Sequence, residues 1–173
     1  MHVLTGKRVA LLAANLYEDT ELWVPYYRLM EEGAQVDIVA AKKGTYTSKY
    51  GYPVKATVEA KEVRAATYDA VVIPGGYAPD HMRRSPELVD FVRAVHGAGK
   101  VVAAICHAGW MLVSAGILQG KTVTSFFAIR DDMVNAGATW VDKEVVVDGA
   151  LITSRHPADL PAFCRELIRA LGG

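Results

Sequence analysis

The chain has 173 residues, 51% hydrophobic and 22% charged, with nineteen Lys and Arg against nineteen Asp and Glu and a formal net charge of zero. That length suits one well-filled core and is short for two ordinary domains, so a single domain over residues 1–173 is expected. Balanced charge leaves no electrostatic footprint of a nucleic-acid or anionic-membrane binder, and no apolar run approaches the roughly 18 residues of a membrane span.

Residues 8–14 form a near-continuous apolar run, which fits a central parallel strand buried on both faces. Asn15-Leu16-Tyr17-Glu18-Asp19 breaks it. Asp19 is a suitable N-cap with Glu21 as an acid in the first turn, and Leu22, Tyr26, Leu29 and Met30 recur at helical spacing until Gly33. Pro25 either kinks this helix or marks its first turn. Residues 35–41 read as a second strand. In residues 42–57 Gly44, Gly51 and Pro53 punctuate alternating Tyr46, Ser48, Tyr50 and Tyr52, the pattern of a peripheral β-excursion. Its tyrosines suit either a partner subunit or a partly wetted sheet edge.

Residues 70–73 are a third buried strand, ending at Pro74-Gly75-Gly76. The glycine pair fits a tight turn, or a backbone that a ligand approaches closely. No Gly-Lys-Ser/Thr follows it, and no Gly-x-Gly-x-x-Gly follows the first strand, so nucleotide binding loses its best signals. Ser85-Pro86-Glu87 is a strong helix start. After it, the apolar run 101–105 stops at Cys106-His107-Ala108-Gly109, and a segment with helical character follows at once. This reads as strand, sharp turn, helix, with Cys106 at the corner. A thiol at the amino end of a helix is expected to have a lowered pKa, whereas Cys164 sits in an amphipathic terminal helix where packing explains it. Beyond these lie a short strand at 122–124, a short helix at 129–135, a hairpin around Asp148-Gly149, and a helix starting near Pro157 or Pro161.

Strands alternating with helices predict an α/β fold with a mainly parallel sheet and helices on both faces, and ligands of such sheets bind beyond the strands' carboxyl ends. That rule gathers Glu18, Gly75, Gly76, Cys106, His107, Ser125, Phe126, Arg155 and His156 on one rim, where a carboxyl, a thiol, imidazoles and backbone donors suit nucleophilic chemistry. His2, His81 and His96 are expected in solvent. No histidine pair has metal-ligand spacing with a cysteine, and no cofactor is expected. Two cysteines in unlike contexts suggest no disulfide framework, and residues 1–7 lack the apolar core of a secretory signal, so a cytoplasmic location is expected.

Residues 15–22, Pro74-Gly75-Gly76, Ala104-Ile105-Cys106-His107, residues 131–137 and Ser154-Arg155-x-Pro157-Ala158-Asp159-Leu160 together resemble the ThiJ/PfpI family, also called the DJ-one superfamily, in order and spacing across nearly the whole chain. The branch nearest in pattern is that of the intracellular protease PfpI. The resemblance implies a flavodoxin-like three-layer sandwich, related to class I glutamine amidotransferases, with a cysteine on a nucleophile elbow. It also implies homodimers, with hexamers as trimers of dimers in that branch. By position it implies Cys106 as nucleophile, His107 as its imidazole and Glu18 as the family's glutamate beside the thiol. Asp80 falls where the acid of a Cys-His-acid site comes across a subunit boundary, and there the family carries the longer glutamate. Gly75 and Gly76, with the amide of His107, are implied as oxyanion donors. Phe126 stands where a tyrosine is usual and Ala108-Gly109 where Gly-Pro is usual, while His156 has no counterpart.

Three functions follow as expectations. The first is a stress-protection enzyme attacking reactive carbonyls: 2-oxoaldehydes, or their glycated adducts on amines or thiols. A cysteine peptidase is the alternative within that class, ranked lower because a confined turn suits small aldehydes better than extended peptides. The second function is a redox sensor or chaperone that uses oxidation of Cys106. The third, a flavin or phospho-acceptor module, lacks a phosphate loop. Glutamine amidotransferase chemistry is discounted because the late histidine reads His156-Pro157-Ala158 rather than His-x-Glu.

Overall fold

A computed structural model describes residues 2–172. The chain runs β1 (Arg8–Leu12), α1 (Asp19–Glu31), β2 (Gln35–Ala40), β3 (Gly44–Thr47), β4 (Pro53–Ala56), β5 (Val58–Glu59), β6 (Ala70–Ile73), α2 (Ala78–Met82), α3 (Pro86–Gly97), β7 (Val101–Ile105) and α4 (Gly109–Ala115). It continues through β8 (Thr122–Val123), α5 (Arg130–Asn135), β9 (Thr139–Trp140), β10 (Val145–Asp148), β11 (Leu151–Ser154) and α6 (Leu160–Gly172).

Seven strands form the main sheet in the order β10-β11-β7-β6-β1-β2-β5. All neighbours are parallel except the β10–β11 hairpin at one edge. Central β6 and β7 are buried along their full length because helices cover both faces of the sheet, which is why they read as apolar runs without alternation. This is the flavodoxin-like arrangement expected. Ser85 caps α3 as its sequence suggests, its hydroxyl accepting from the Leu88 amide at 3.4 Å.

The excursion at 42–57 is a separate antiparallel pair, β3–β4. Residues 122–124 depart from expectation: β8 leaves the main sheet and pairs with β9 in a second small parallel sheet. At the β10–β11 hairpin the turn is Gly149-Ala150, because Asp148 still pairs with Leu151. The Asp148 carboxylate instead accepts the Thr122 amide at 2.8 Å, tying the hairpin to β8. Pro25 lies inside α1 and does not mark its start, and Glu18, not Asp19, occupies the N-cap. The Asp19 carboxylate is used elsewhere, accepting from the Ser48 hydroxyl at 2.6 Å.

Candidate active site

β7 ends in a 3-10 turn, Cys106–Ala108, before α4 begins. Cys106 has φ +63°, a left-handed conformation that costs a residue with a Cβ of order 1–3 kcal/mol and persists only where the surroundings enforce it. The effect is to turn the thiol out of the sheet at the carboxyl edge, and that is the expected elbow. Its sulfur lies 3.2 Å from His107 Nδ1. The ring of His107 stacks on Phe126 at 4.8 Å between centroids and meets Trp110 edge-on at 5.1 Å, which holds the imidazole in place.

A cavity of about 480 Å³ opens over the sulfur, lined by residues that include Glu18, Glu21, Lys49, Gly76, Cys106, His107, Phe126 and His156. Most of the rim expected from topology is therefore assembled. Ser125 and Arg155 line a neighbouring cavity instead, which shares Phe126 and His156 with the first. Arg155 is fully engaged by Asp159 and Asp142. Of the histidines expected in solvent, His81 packs edge-on against Tyr77 with Nδ1 3.1 Å from the Asn15 carbonyl. His2 Nδ1 lies 2.8 Å from the Glu31 carbonyl.

The carboxyl beside the thiol is Glu21, which corrects the assignment of that place to Glu18. Glu21 is completely buried, and its Oε2 accepts the Gly75 amide at 2.7 Å. Glu18 turns to the cavity mouth, where its Oε2 meets Lys49 Nζ at 2.9 Å. One turn of helix separates the two outcomes. Glu21, Pro25 and Leu29 share the inward face of α1 at a spacing of four, and Glu18 precedes the helix. The signal was a charged residue at a core position of an amphipathic helix, which reading it as a first-turn acid overlooked.

Burial pushes Glu21 up to about 8, and the neighbouring charge of Glu18 adds to the shift, while the Gly75 amide opposes it. Its Oε1 is buried without a hydrogen-bond partner, an arrangement too costly for an ionised carboxylate and suited to a protonated one that can donate to sulfur. Burial likewise pushes the Cys106 thiol up to about 12, and the charge of Glu21 raises it further, against the amides of His107 and Gly76. The lowered thiol expected from a helix terminus is thus not what the single chain produces. Removal of the sulfur from water outweighs a helix of seven residues. With Glu21 protonated, the charge repulsion that adds to the thiol's rise is absent, while the burial that is its first cause remains. Burial lowers His107, and the charge of Lys49 lowers it further, which favours a neutral imidazole able to take a proton.

The glycine pair divides its work. The Gly75 amide is committed to Glu21 and is not free as an oxyanion donor, which corrects the pairing of both glycines in that role. The Gly76 and His107 amides remain, both directed at the sulfur. Gly75 is required by space: a Cβ there would sit 2.4 Å from Glu21 Oε2 and 2.7 Å from the Cys106 Cβ. Gly75→Ala is therefore expected to lower stability by about 1–3 kcal/mol in denaturant titration and to displace Glu21 from the thiol. An unshifted midpoint with full activity would contradict this packing.

Asp80 does not line the cavity; its carboxylate pairs with Arg84 one turn on. Cys164 is buried in α6, in keeping with a packing role. No group of three or more His, Cys, Asp or Glu able to hold a metal occurs among the described residues.

The chain is similar to known proteins along nearly its whole length. Residues 7–170 match the DJ-1/PfpI family. "Deglycase PfpI" of Pyrococcus furiosus is 48% identical over 164 residues, covering 95% of this chain and 99% of that protein. "Protein/nucleic acid deglycase 2" of Escherichia coli is 39% identical over 171 residues, 96% of this chain and 99% of the relative. Among solved structures, a two-domain protein from Anabaena variabilis with DJ-1/ThiJ/PfpI-like and ferritin-like domains superposes with a TM-score of 0.95 at 43% identity, over 96% of this chain and 48% of that one. With its cysteine elbow, parallel sheet and similarity along the whole chain, this protein belongs to the DJ-1/PfpI family.

Proposed function

We propose that the chain is a cysteine-dependent enzyme that removes reactive carbonyls, as a deglycase or by hydrating 2-oxoaldehydes. The observation that carries this reading is a thiol on a strained turn in a small cavity, with a fully buried carboxyl whose Oε1 has no partner and an imidazole nitrogen 3.2 Å from the sulfur. Two relatives named as deglycases support it.

In this mechanism Cys106 gives its proton to His107, and the sulfur adds to the aldehyde carbon of a 2-oxoaldehyde. The new oxyanion is met by the Gly76 and His107 amides. The C–H proton of the resulting hemithioacetal passes to a base and returns to the adjacent carbonyl carbon. That leaves a thioester bearing an α-hydroxyl, and water cleaves it to an α-hydroxy acid and the free thiol. Glu21 is placed to hold or return a proton at sulfur. With an adduct as substrate, the C–N or C–S bond of the carbinol breaks first, the amine or thiol leaves with the hydroxyl proton, and the aldehyde so restored is the one to which the sulfur adds. A cavity of about 480 Å³ accommodates such ligands more readily than an extended peptide, so peptidase chemistry stays second.

Assembly enters through Asp80. Within one chain its carboxylate pairs with Arg84 and is absent from the cavity lining, which fits an acid supplied to a neighbouring subunit. Tyr27, Tyr50 and Tyr52 are 59%, 77% and 57% exposed, and together they give α1 and the β3–β4 tip an aromatic surface suited to a second copy.

The test is NMR of methylglyoxal and of its N-acetylcysteine adduct with and without the protein, where lactate should form catalytically. Lactate no faster than in buffer would end this reading. For the shared site, mixing Asp80→Ala with Cys106→Ser protomers should restore part of the activity that each lacks. A mixture as inactive as its parents after demonstrated subunit exchange would leave Asp80 a loop residue.

A further inference from the structure

The Cys106 cavity contains a cation that the mechanism above leaves unused. Lys49 is the one lysine or arginine on its wall among the described residues, and it comes from the tip of β3–β4, outside the main sheet. That tip is firmly tied to the loop after β1. The Lys49 amide donates to the Tyr17 carbonyl at 2.9 Å, the Leu16 amide to Thr47 O at 2.7 Å, and the Thr47 amide to Asn15 Oδ1 at 2.9 Å. Ser48 beside it is 2% exposed and bonded to Asp19. A surface lysine needs no such anchoring, so the fold spends order on this position.

The ammonium pairs with Glu18 Oε2 at 2.9 Å, and the Lys49 side chain stays 42% exposed against 13% for Glu18. An ion pair this wet contributes roughly 0–1 kcal/mol, and an ammonium carries three donors, so a second carboxylate can join or replace Glu18 at little cost. Lys49 also shares the cavity wall with Cys106 and His107, and its charge bears on Glu21 and His107.

We propose that Lys49 is the anion-recognising residue of this cavity, holding a carboxylate that adjoins the carbon that bonds to Cys106, with Glu18 occupying the ammonium until the ligand arrives. This deepens the carbonyl-enzyme reading by naming a charge class: 2-oxo acids, which add reversibly to the thiol as the aldehydes do and whose carboxylate adjoins the carbon that sulfur attacks.

A pair of alkylating probes tests it without relying on turnover. Iodoacetate and iodoacetamide react at the same carbon; the thiolate forms the S–C bond, iodide leaves, and the reagents differ in the carboxylate. Their rate ratio at Cys106, followed by peptide mass spectrometry and divided by the ratio for N-acetylcysteine, cancels intrinsic thiol reactivity. Lys49→Met should lower this ratio about tenfold, the loss of one charge-assisted contact, and Lys49→Arg should keep it. Glu18→Gln, which frees the ammonium, should raise it about threefold or more. A ratio unchanged in Lys49→Met, or lowered in Glu18→Gln, overturns the proposal. Because alkylation needs only a reactive thiol, an unchanged ratio with intact lactate formation counts against Lys49 alone. A Lys49-dependent ratio without lactate formation counts against the carbonyl reading alone.

Discussion

Cys106→Ser is expected to reduce lactate formation at least about a thousandfold while the protein stays folded. The serine hydroxyl is a far weaker nucleophile, and a thousandfold loss corresponds to about 4 kcal/mol of transition-state stabilisation. Folding should survive because the substitution keeps the Cβ and hence the left-handed turn at φ +63°. Cys164→Ser supplies the contrast. That thiol is buried against α1 and α6 side chains, so the change should cost about 1–2 kcal/mol of stability and little activity. Steady-state assays paired with thermal melts check both. Substantial turnover in Cys106→Ser would remove the nucleophile from the mechanism.

Glu21→Gln should separate stability from activity. In the folded protein the carboxyl titrates near 8 rather than 4.5, so the native state holds its proton more tightly than the unfolded chain. The contribution of this group is fully present below about pH 4.5 and is lost as pH rises through about 8, at up to 1.4 kcal/mol per pH unit. A neutral amide removes that loss. Glu21→Gln should therefore be more stable than the wild type at pH 8.5 by about 2–4 kcal/mol, with the gap closing toward pH 5. Turnover should fall by about 10²–10³-fold, because the amide holds the Gly75 amide but moves no proton. The alkylation midpoint of Cys106 should drop, since the charge on Glu21 is among the causes that raise it. A variant as active as the wild type, or one less stable at pH 8.5, would contradict the proton-bearing carboxyl.

How much of this was legible in the sequence differs from element to element. The runs now seen as β1, β2, β6 and β7, the Ser85 cap, the β10–β11 hairpin to within one residue of its turn, and the elbow at Cys106 all follow from local pattern, because burial on both faces and a forced turn leave their mark within a few residues. The order of motifs identified the family for the same reason. The side chains that meet at the sulfur were decided only in three dimensions. Glu18 and Glu21 are both acids at the start of one helix; the rotation of α1 against the sheet sends one to the mouth and the other into the core. Gly75 and Gly76 look alike in the chain, yet one amide is taken by Glu21 and the other is left to the sulfur. Lys49 reaches the site from a hairpin that pattern marks only as peripheral, through bonds to the loop after β1 that no local spacing encodes. The pKa of Cys106 is likewise a tertiary quantity. The elbow suggests a lowered value, but desolvation by residues distant in sequence sets the sign, because the cost of charging a buried sulfur depends on everything packed around it.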